Sequence, residues 1–409
     1  MIEQVKRNMN VIASQIGVRP VGTEANASLL KYVKALASSY GYKTTTLPFE
    51  CKIWNKGVSN LTINNKTYGI YPSPFSQPYK GECEIIFADS VETLQKADCA
   101  GKVVAICGTL ANDAIMPKNF PFFFPEEHKF LIELLESKQP AAILAFTGKQ
   151  PMSGLDPFPL FEDGNFLIPS AYISQSYLDE IKSFNKRVEI NIDSHTQPSE
   201  SEQLIIWNNL ENKERIVICA HMDSKYNTPA ALDNGAGVAV LLEMMRILKD
   251  EQKPFDIEFV PFNSEEYYGV CGQLNYMNRI NNELTNIKLV INIDSPCHKD
   301  SKTALSFYNF TDDVKQKYVD YIKTRGNVVT GPEWYAGDHA MFAFRGIPCL
   351  AVTSSNLFDG VLELSHTPKD TIENVDYELI KNTADVLVGI ITNNLIEGYK
   401  YCNNSALSV

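Results

Sequence analysis

The chain has 409 residues, long for one compact core and therefore read as two domains, with 44% hydrophobic and 21% charged residues, an ordinary globular composition. Its 37 Lys and Arg against 49 Asp and Glu give a net charge of -12, and no basic cluster is interleaved with aromatics, so nucleic acid is excluded as a partner class. No stretch approaches the ~20 apolar residues that span a bilayer, and the opening MIEQVKRNMNVIASQIG carries Glu, Lys, Arg and Asn among its apolar residues, unlike a secretory leader. No membrane association is expected. The nine cysteines are odd in number and lack CxxC spacing, which points to reduced thiols and a cytoplasmic setting.

In chain order, apolar residues at Leu29, Val33, Leu36, Ala37 and Tyr40 form the stripe of an amphipathic helix, with Gly41 where a C-terminal cap belongs. YKTTTLPFE then turns β-like. From about 52 to 200, short β-rich runs (SNLTI, CEIIFA, GKVVAIC, AAILAF, IPSAYIS) lie between loops rich in Pro and Phe such as MPKNFPFFFPEEH, a pattern expected of a separate, mostly β domain. From 201 to 409 strands and helices alternate: RIVICA, the helix GVAVLLEMMRILKD, FDIEFVPF, IKLVINI, GIPCLAV, and a last helix YELIKNTADVLVGIITNNLIEGY striped by Ile380, Ala384, Leu387 and Ile391. That alternation predicts an α/β fold, a mostly parallel central sheet with helices on both faces, whose ligands bind at the carboxyl ends of the strands. Residues 1–51 are expected to be the first segment of this same domain.

Those carboxyl ends are where the polar residues fall. RIVICA ends in His221 and Asp223, FDIEFVPF in Glu265 and Glu266, and IKLVINI in Asp294; Asp233 and His366 lie in loops. Each has an ordinary reading alone: a local His–Asp hydrogen bond, a helix N-cap at Asp233, a solvated Glu pair, a turn at HTPKD. Together, on one rim of one sheet, they point to a metal site. Imidazole and carboxylate without thiolate is the donor set of a catalytic zinc-type site, and a carboxylate between two ligand groups can bridge two ions. Neighbours on an extended backbone point apart, so one of Glu265 and Glu266 is expected to bind metal and the other to stay free for a proton.

At these residues the sequence resembles the M28 family of zinc metallopeptidases, through AHMDS, ALDNGAG, NSEEYYGVCGQLNY, INID, GDHAMFAFRGIP and SHTPKDTIENVD in the family's order, and through the opening GVRPVGTEAN. The resemblance implies a zinc-dependent aminopeptidase with two zinc ions per chain. It makes Asp233 the bridging carboxylate, with His221 and Asp294 completing one zinc site and Glu266 and His366 the other. Glu265 is implied as general base toward a zinc-activated water, Asp223 as the partner that orients His221, and Tyr335, on position alone, as an oxyanion or substrate donor. The implied substrate is a peptide with a free N-terminus. The middle stretch is similar to an inserted protease-associated (PA) domain, shaping the cleft or, as an equal alternative, stabilising or dimerising the enzyme as a homodimer.

The chain departs from the family's pattern at Leu232, Gly337 and Gln273, where acidic, Ser and Ser residues are common, and these put the pocket's shape in question. SPCH after Asp294 is also atypical; Cys297 and His298 are expected at the surface, with an effect on the metal environment as the alternative. Rival readings are a single-zinc acyltransferase of the glutaminyl-cyclase type, a non-catalytic binding relative, and a carboxypeptidase for acidic C-termini, for which no Arg cluster stands near the motifs.

Overall fold

The structure is a computed structural model describing residues 2–184, 187–208, 214–250 and 255–393. The end of the last expected helix beyond residue 393 lies outside the described residues, as does Cys402. The chain divides into two compact units, residues 1–51 with 199–409, and residues 52–198.

The first unit is built on an eight-stranded sheet. Its strands are β1 (Lys43–Lys56), β9 (Ser194–Trp207), β10 (Arg215–His221), β11 (Asp256–Phe262), β12 (Ile287–Ile293), β13 (Thr303–Tyr308), β14 (Val328–Thr330) and β15 (Cys349–Ser354), in the order β1-β9-β11-β10-β12-β15-β13-β14. The centre, β11-β10-β12-β15, is parallel. The expectation of a mostly parallel sheet needs one correction: β9 pairs with β11 and β13 with β15 antiparallel, so the sheet is mixed.

Every residue of β10, β11 and β15 is buried, which is why RIVICA, FDIEFVPF and CLAVTS read as runs with little polar alternation. Alternate residues serve opposite faces. Ile216, Ile218, Ile257 and Phe259 join the core under the helices Glu24–Ser39, Gly237–Leu248 and Tyr377–Thr392. On the other face Phe262 meets Tyr276 of the helix Cys271–Ile280 and Phe342 of the short helix Ala340–Ala343, with ring centroids 5.4 and 6.5 Å away. The helix expected over 25–40 runs Glu24–Ser39; Thr23 caps it by accepting the Asn26 N–H, and Gly41 takes a φ of 85° just beyond its end.

In the second unit β2 (Ser59–Ile63), β3 (Lys66–Pro72), β4 (Tyr79–Ala88), β5 (Val103–Ile106), β6 (Ala142–Thr147), β7 (Ser170–Ser174) and β8 (Arg187–Ile192) close into a barrel in the order β2-β3-β7-β6-β5-β4-β8. Side chains alternate between two cores. Val103, Ala105, Leu144 and Phe146 join one, while Val104, Ile106, Ile143 and Ala145 pack with Leu131, Ile132 and Leu135 of the helix Glu126–Lys138.

Candidate metal centre

Three adjacent parallel strands deliver the site. His221 is the last residue of β10, in register with Phe262 at the end of β11. Glu265 and Glu266 follow that end, and Asp294 follows β12, its N–H donating to Val352 O at 2.9 Å. Asp233 lies in the turn that leads into the helix Gly237–Leu248, and His366 in the loop after β15. Backbone in the left-handed region clusters here: Ala230, Ser264, Ser295 and His366 have φ of 52°, 95°, 51° and 65°. Such conformations outside glycine concentrate at functional sites.

The side chains converge as two trios sharing one carboxylate. In each of His221/Asp233/Asp294 and Asp233/Glu266/His366, one donor atom per residue lies within 4.8 Å of the others. Asp233 Oδ1 is 3.1 Å from His221 Nε2, which is 3.6 Å from Asp294 Oδ1. Asp233 Oδ2 is 3.4 Å from His366 Nε2, which is 3.1 Å from Glu266 Oε1. The two oxygens of Asp233 therefore face different trios.

Glu265 also reaches this centre, its carboxylate oxygen within 4.8 Å of donor atoms of His221 and Glu266. The expectation that the paired glutamates point apart is corrected by the backbone. β11 ends at Phe262, and residues 263–266 turn rather than extend, so both side chains are presented to the same side. Glu265 remains partly exposed and Glu266 is buried.

The electrostatics are those of crowded, buried carboxylates set against two imidazoles. Burial pushes the Glu265 carboxyl well above its ordinary range; His221 opposes that, and Glu266, Asp338 and Asp294 reinforce it. Burial would strip the His366 proton, but the charges of Glu266 and Asp233 retain it and raise its pKa to about 10. His221 is raised in the same way, against its burial, by the surrounding carboxylates. Burial would raise Asp233 too, but its contacts with the two imidazoles hold it well below the carboxylate range.

Asp223 reaches both the glutamate turn and His221. Its carboxylate accepts the N–H groups of Glu265 and Glu266 at 3.1 and 3.0 Å, while His221 Nδ1 lies 3.9 Å from Oδ1 and 3.3 Å from the Asp223 carbonyl. It anchors the glutamate turn more directly than the imidazole. Tyr335 is paired elsewhere: its hydroxyl donates to Glu333 at 3.2 Å and its exposed ring stacks on Phe344. Cys297 and His298 are buried, correcting the surface expectation. The chain turns inward there, and Cys297 packs into the core against Thr383 while Asn356 contacts His298 Nδ1 at 3.0 Å.

Three residues were missed from the sequence. Asp370, four residues past His366, accepts the Leu232 and Asp233 N–H groups at 2.7 and 3.0 Å and so fixes the backbone of Asp233. Asp338 is buried, with Gln273 Nε2 donating to its Oδ1 at 3.1 Å and its Oδ2 unpartnered. Arg19 is wholly buried beneath the loop after His221. Asp370 lies within SHTPKDTIENVD and Arg19 within GVRPVGTEAN, but nothing in either stretch sets the one residue apart from its neighbours.

The donor set fits a metal. Glu266 Oε1 is buried with no hydrogen-bond partner although His366 Nε2 is 3.1 Å away, so the two are misaligned for each other and free to share a third atom. All five donors of the two trios are nitrogen or carboxylate oxygen, which suits a zinc-type cation.

Comparison with known proteins agrees. The profile of peptidase family M28 matches residues 204–391. Aminopeptidase YwaD of Bacillus subtilis (strain 168) is 25% identical over 224 residues, 52% of this chain and 46% of that protein. A probable leucine aminopeptidase of Trichophyton verrucosum (strain HKI 0517) is 26% identical over 200 residues, 44% of this chain and 52% of that protein. The chain thus spans about half the length of the curated relatives it matches. Among solved structures, an aminopeptidase from Aneurinibacillus sp. strain AM-1 superposes with a TM-score of 0.77 at 19% identity, over 98% of this chain and 97% of that one. BSAP, a zinc aminopeptidase from Bacillus subtilis, gives 0.73 at 18% identity, over 96% and 94%. Those two likenesses show a shared fold, and the stretch at residues 204–391 is what matches the family M28 profile.

Proposed function

We propose that the chain is a zinc-dependent aminopeptidase that holds two ions and removes N-terminal residues from peptides. The observation that carries this is Asp233, whose two oxygens face separate trios of donors. His221, Asp233 and Asp294 would hold one ion, and Asp233, Glu266 and His366 the other. When bound, the pair supplies Lewis-acid polarisation of the scissile carbonyl and acidifies water.

The chain's own residues do the rest. Glu265, raised in pKa by burial and by neighbouring carboxylates, is a base strong enough to take a proton from the attacking water at its carboxylate oxygen. As the water oxygen bonds to the carbonyl carbon and the C–N bond breaks, Glu265 returns that proton to the departing amine. Asp223 keeps Glu265 and Glu266 at fixed spacing through their backbone N–H groups, and the carboxylate-rich rim favours a substrate with a free, protonated amine. The barrel of residues 52–198 is read as a PA-like insertion, on its closed seven-stranded form. A cytoplasmic setting is part of the reading, supported by the eight described cysteines all being free.

The test is Glu265→Gln. Its turnover of free-amine peptides should fall about 100- to 10,000-fold, with bound zinc unchanged and N-blocked peptides uncleaved by either protein. Undiminished turnover in the variant, or equal cleavage of blocked peptides, would exclude the mechanism.

A further inference from the structure

The segment from Met222 to Ala230 joins His221 to the turn that presents Asp233, and it has no helix or strand of its own. Buried carbonyls in such a segment need donors from elsewhere. Arg19 supplies them. Its Nε donates to Met222 O at 2.8 Å, Nη1 to Pro229 O at 2.7 Å and Nη2 to Ala230 O at 2.9 Å. Nη1 also donates to Gly17 O at 2.9 Å, and the Arg19 backbone N–H donates to Ser224 Oγ at 2.9 Å. One side chain therefore grips the segment at both ends, beside His221 and beside Asp233, and is itself tied to the N-terminal segment.

The guanidinium is wholly buried. Burial lowers its pKa to about 10 while Asp370, Asp223, Asp233 and Glu266 oppose the loss of its charge, so it stays a cation at neutral pH. Lysine could not replace it: an ammonium presents its donors from one atom, whereas these carbonyls are met by three nitrogens of a planar fork.

We propose that Arg19 is a positioning residue of the metal centre, fastening the segment between His221 and Asp233 in the shape that brings their side chains together. The inference rests on the metal-centre reading above and extends it to a residue outside the family match at 204–391. The site is then assembled by two pieces of chain separated by the whole barrel unit. A residue with a structural role alone would lower the melting temperature when changed and leave zinc affinity, measured well below that temperature, as it was.

The experiment strips wild type, Arg19→Lys and the core control Val33→Ala with a chelator, then titrates each with zinc against a chromophoric competitor. Arg19→Lys should bind zinc about 10- to 100-fold more weakly, the usual cost of disturbing groups that hold metal ligands. Val33→Ala, destabilised but remote from the site, should stay within about twofold of wild type. Wild-type affinity in Arg19→Lys overturns the proposal; absence of zinc binding by wild type itself removes the metal-centre reading and this inference with it. Should Arg19→Lys not fold, hydrogen exchange on wild type decides. Amides of residues 222–230 should be as protected in the stripped protein as in the zinc-loaded one, and loss of that protection on stripping would show that the metal, not Arg19, holds the segment.

Discussion

Asp223 and the two imidazoles carry the residue-scale consequences. The Asp223 carboxylate accepts two N–H groups with its two oxygens, and an amide there would turn an NH2 toward one of them. Asp223→Asn should therefore lower kcat/KM about 10- to 100-fold with a smaller loss of melting temperature, checked by steady-state kinetics alongside thermal melts. Proton traffic gives a second expectation. His366 binds its proton up to about pH 10 in the metal-free protein, against an ordinary value near ~6.5 unfolded, and zinc ligation requires it neutral. A raised folded-state pKa contributes stability that is present below the unfolded value and lost as pH rises through the folded one. The stripped protein should accordingly melt at falling temperature between about pH 6.5 and 10. Zinc loading near neutral pH should release protons from the imidazoles, seen by calorimetry in buffers of different ionisation enthalpy. Zinc uptake without proton release would mean that the imidazoles are not the ligands.

The elements that position the site were legible where burial on both faces leaves an unbroken apolar run. IKLVINI is β12 to the residue, and RIVICA and FDIEFVPF fall short of β10 or overrun β11 by one. β13 and β14 escaped notice, since TALSFY mixes Thr and Ser into a short buried strand and VVT is only a fragment. Convergence of His221, Glu265, Glu266, Asp294 and Asp233 was readable because the first four end or follow strands at one rim and Asp233 precedes a helix, whereas His366, in a loop, was joined to them by the SHTPKDTIENVD resemblance. Arg19 and Asp370 were not readable, because they act on backbone far away in sequence and leave no local period. At the turn before the helix Gly237–Leu248, a Cβ on Gly237 would come within 2.1 Å of Asn234 Oδ1 and 2.6 Å of Ile293 O. Asn234 Nδ2 donates to that same Ile293 O at 2.8 Å, tying the Asp233 turn to β12 next to Asp294. Gly237→Ala should cost about 1–3 kcal/mol of stability, the price of forcing a methyl into packed backbone, and weaken zinc binding with it. A variant as stable as wild type in denaturant titrations would contradict that tight approach.

For the molecule as a whole, a sheet and a barrel are interleaved along the chain, the barrel's residues 52–198 falling between the helix that carries Asn26 and the strands that carry the donors. Asn26 and Asn263 exchange side-chain hydrogen bonds at 2.8 and 3.0 Å, so the N-terminal segment is joined to the glutamate turn as Arg19 joins it to the His221 segment. No helix among the described residues is long and apolar enough to cross a membrane. The measurement that bears most directly on the whole account is the zinc content of wild type, His366→Ala and Asp233→Asn by elemental analysis after dialysis. With Asp233 facing both trios, wild type should retain two ions per chain and His366→Ala one, while Asp233→Asn, losing the shared ligand, should retain fewer than His366→Ala. A single ion in wild type, or two in Asp233→Asn, would contradict a centre built around that carboxylate.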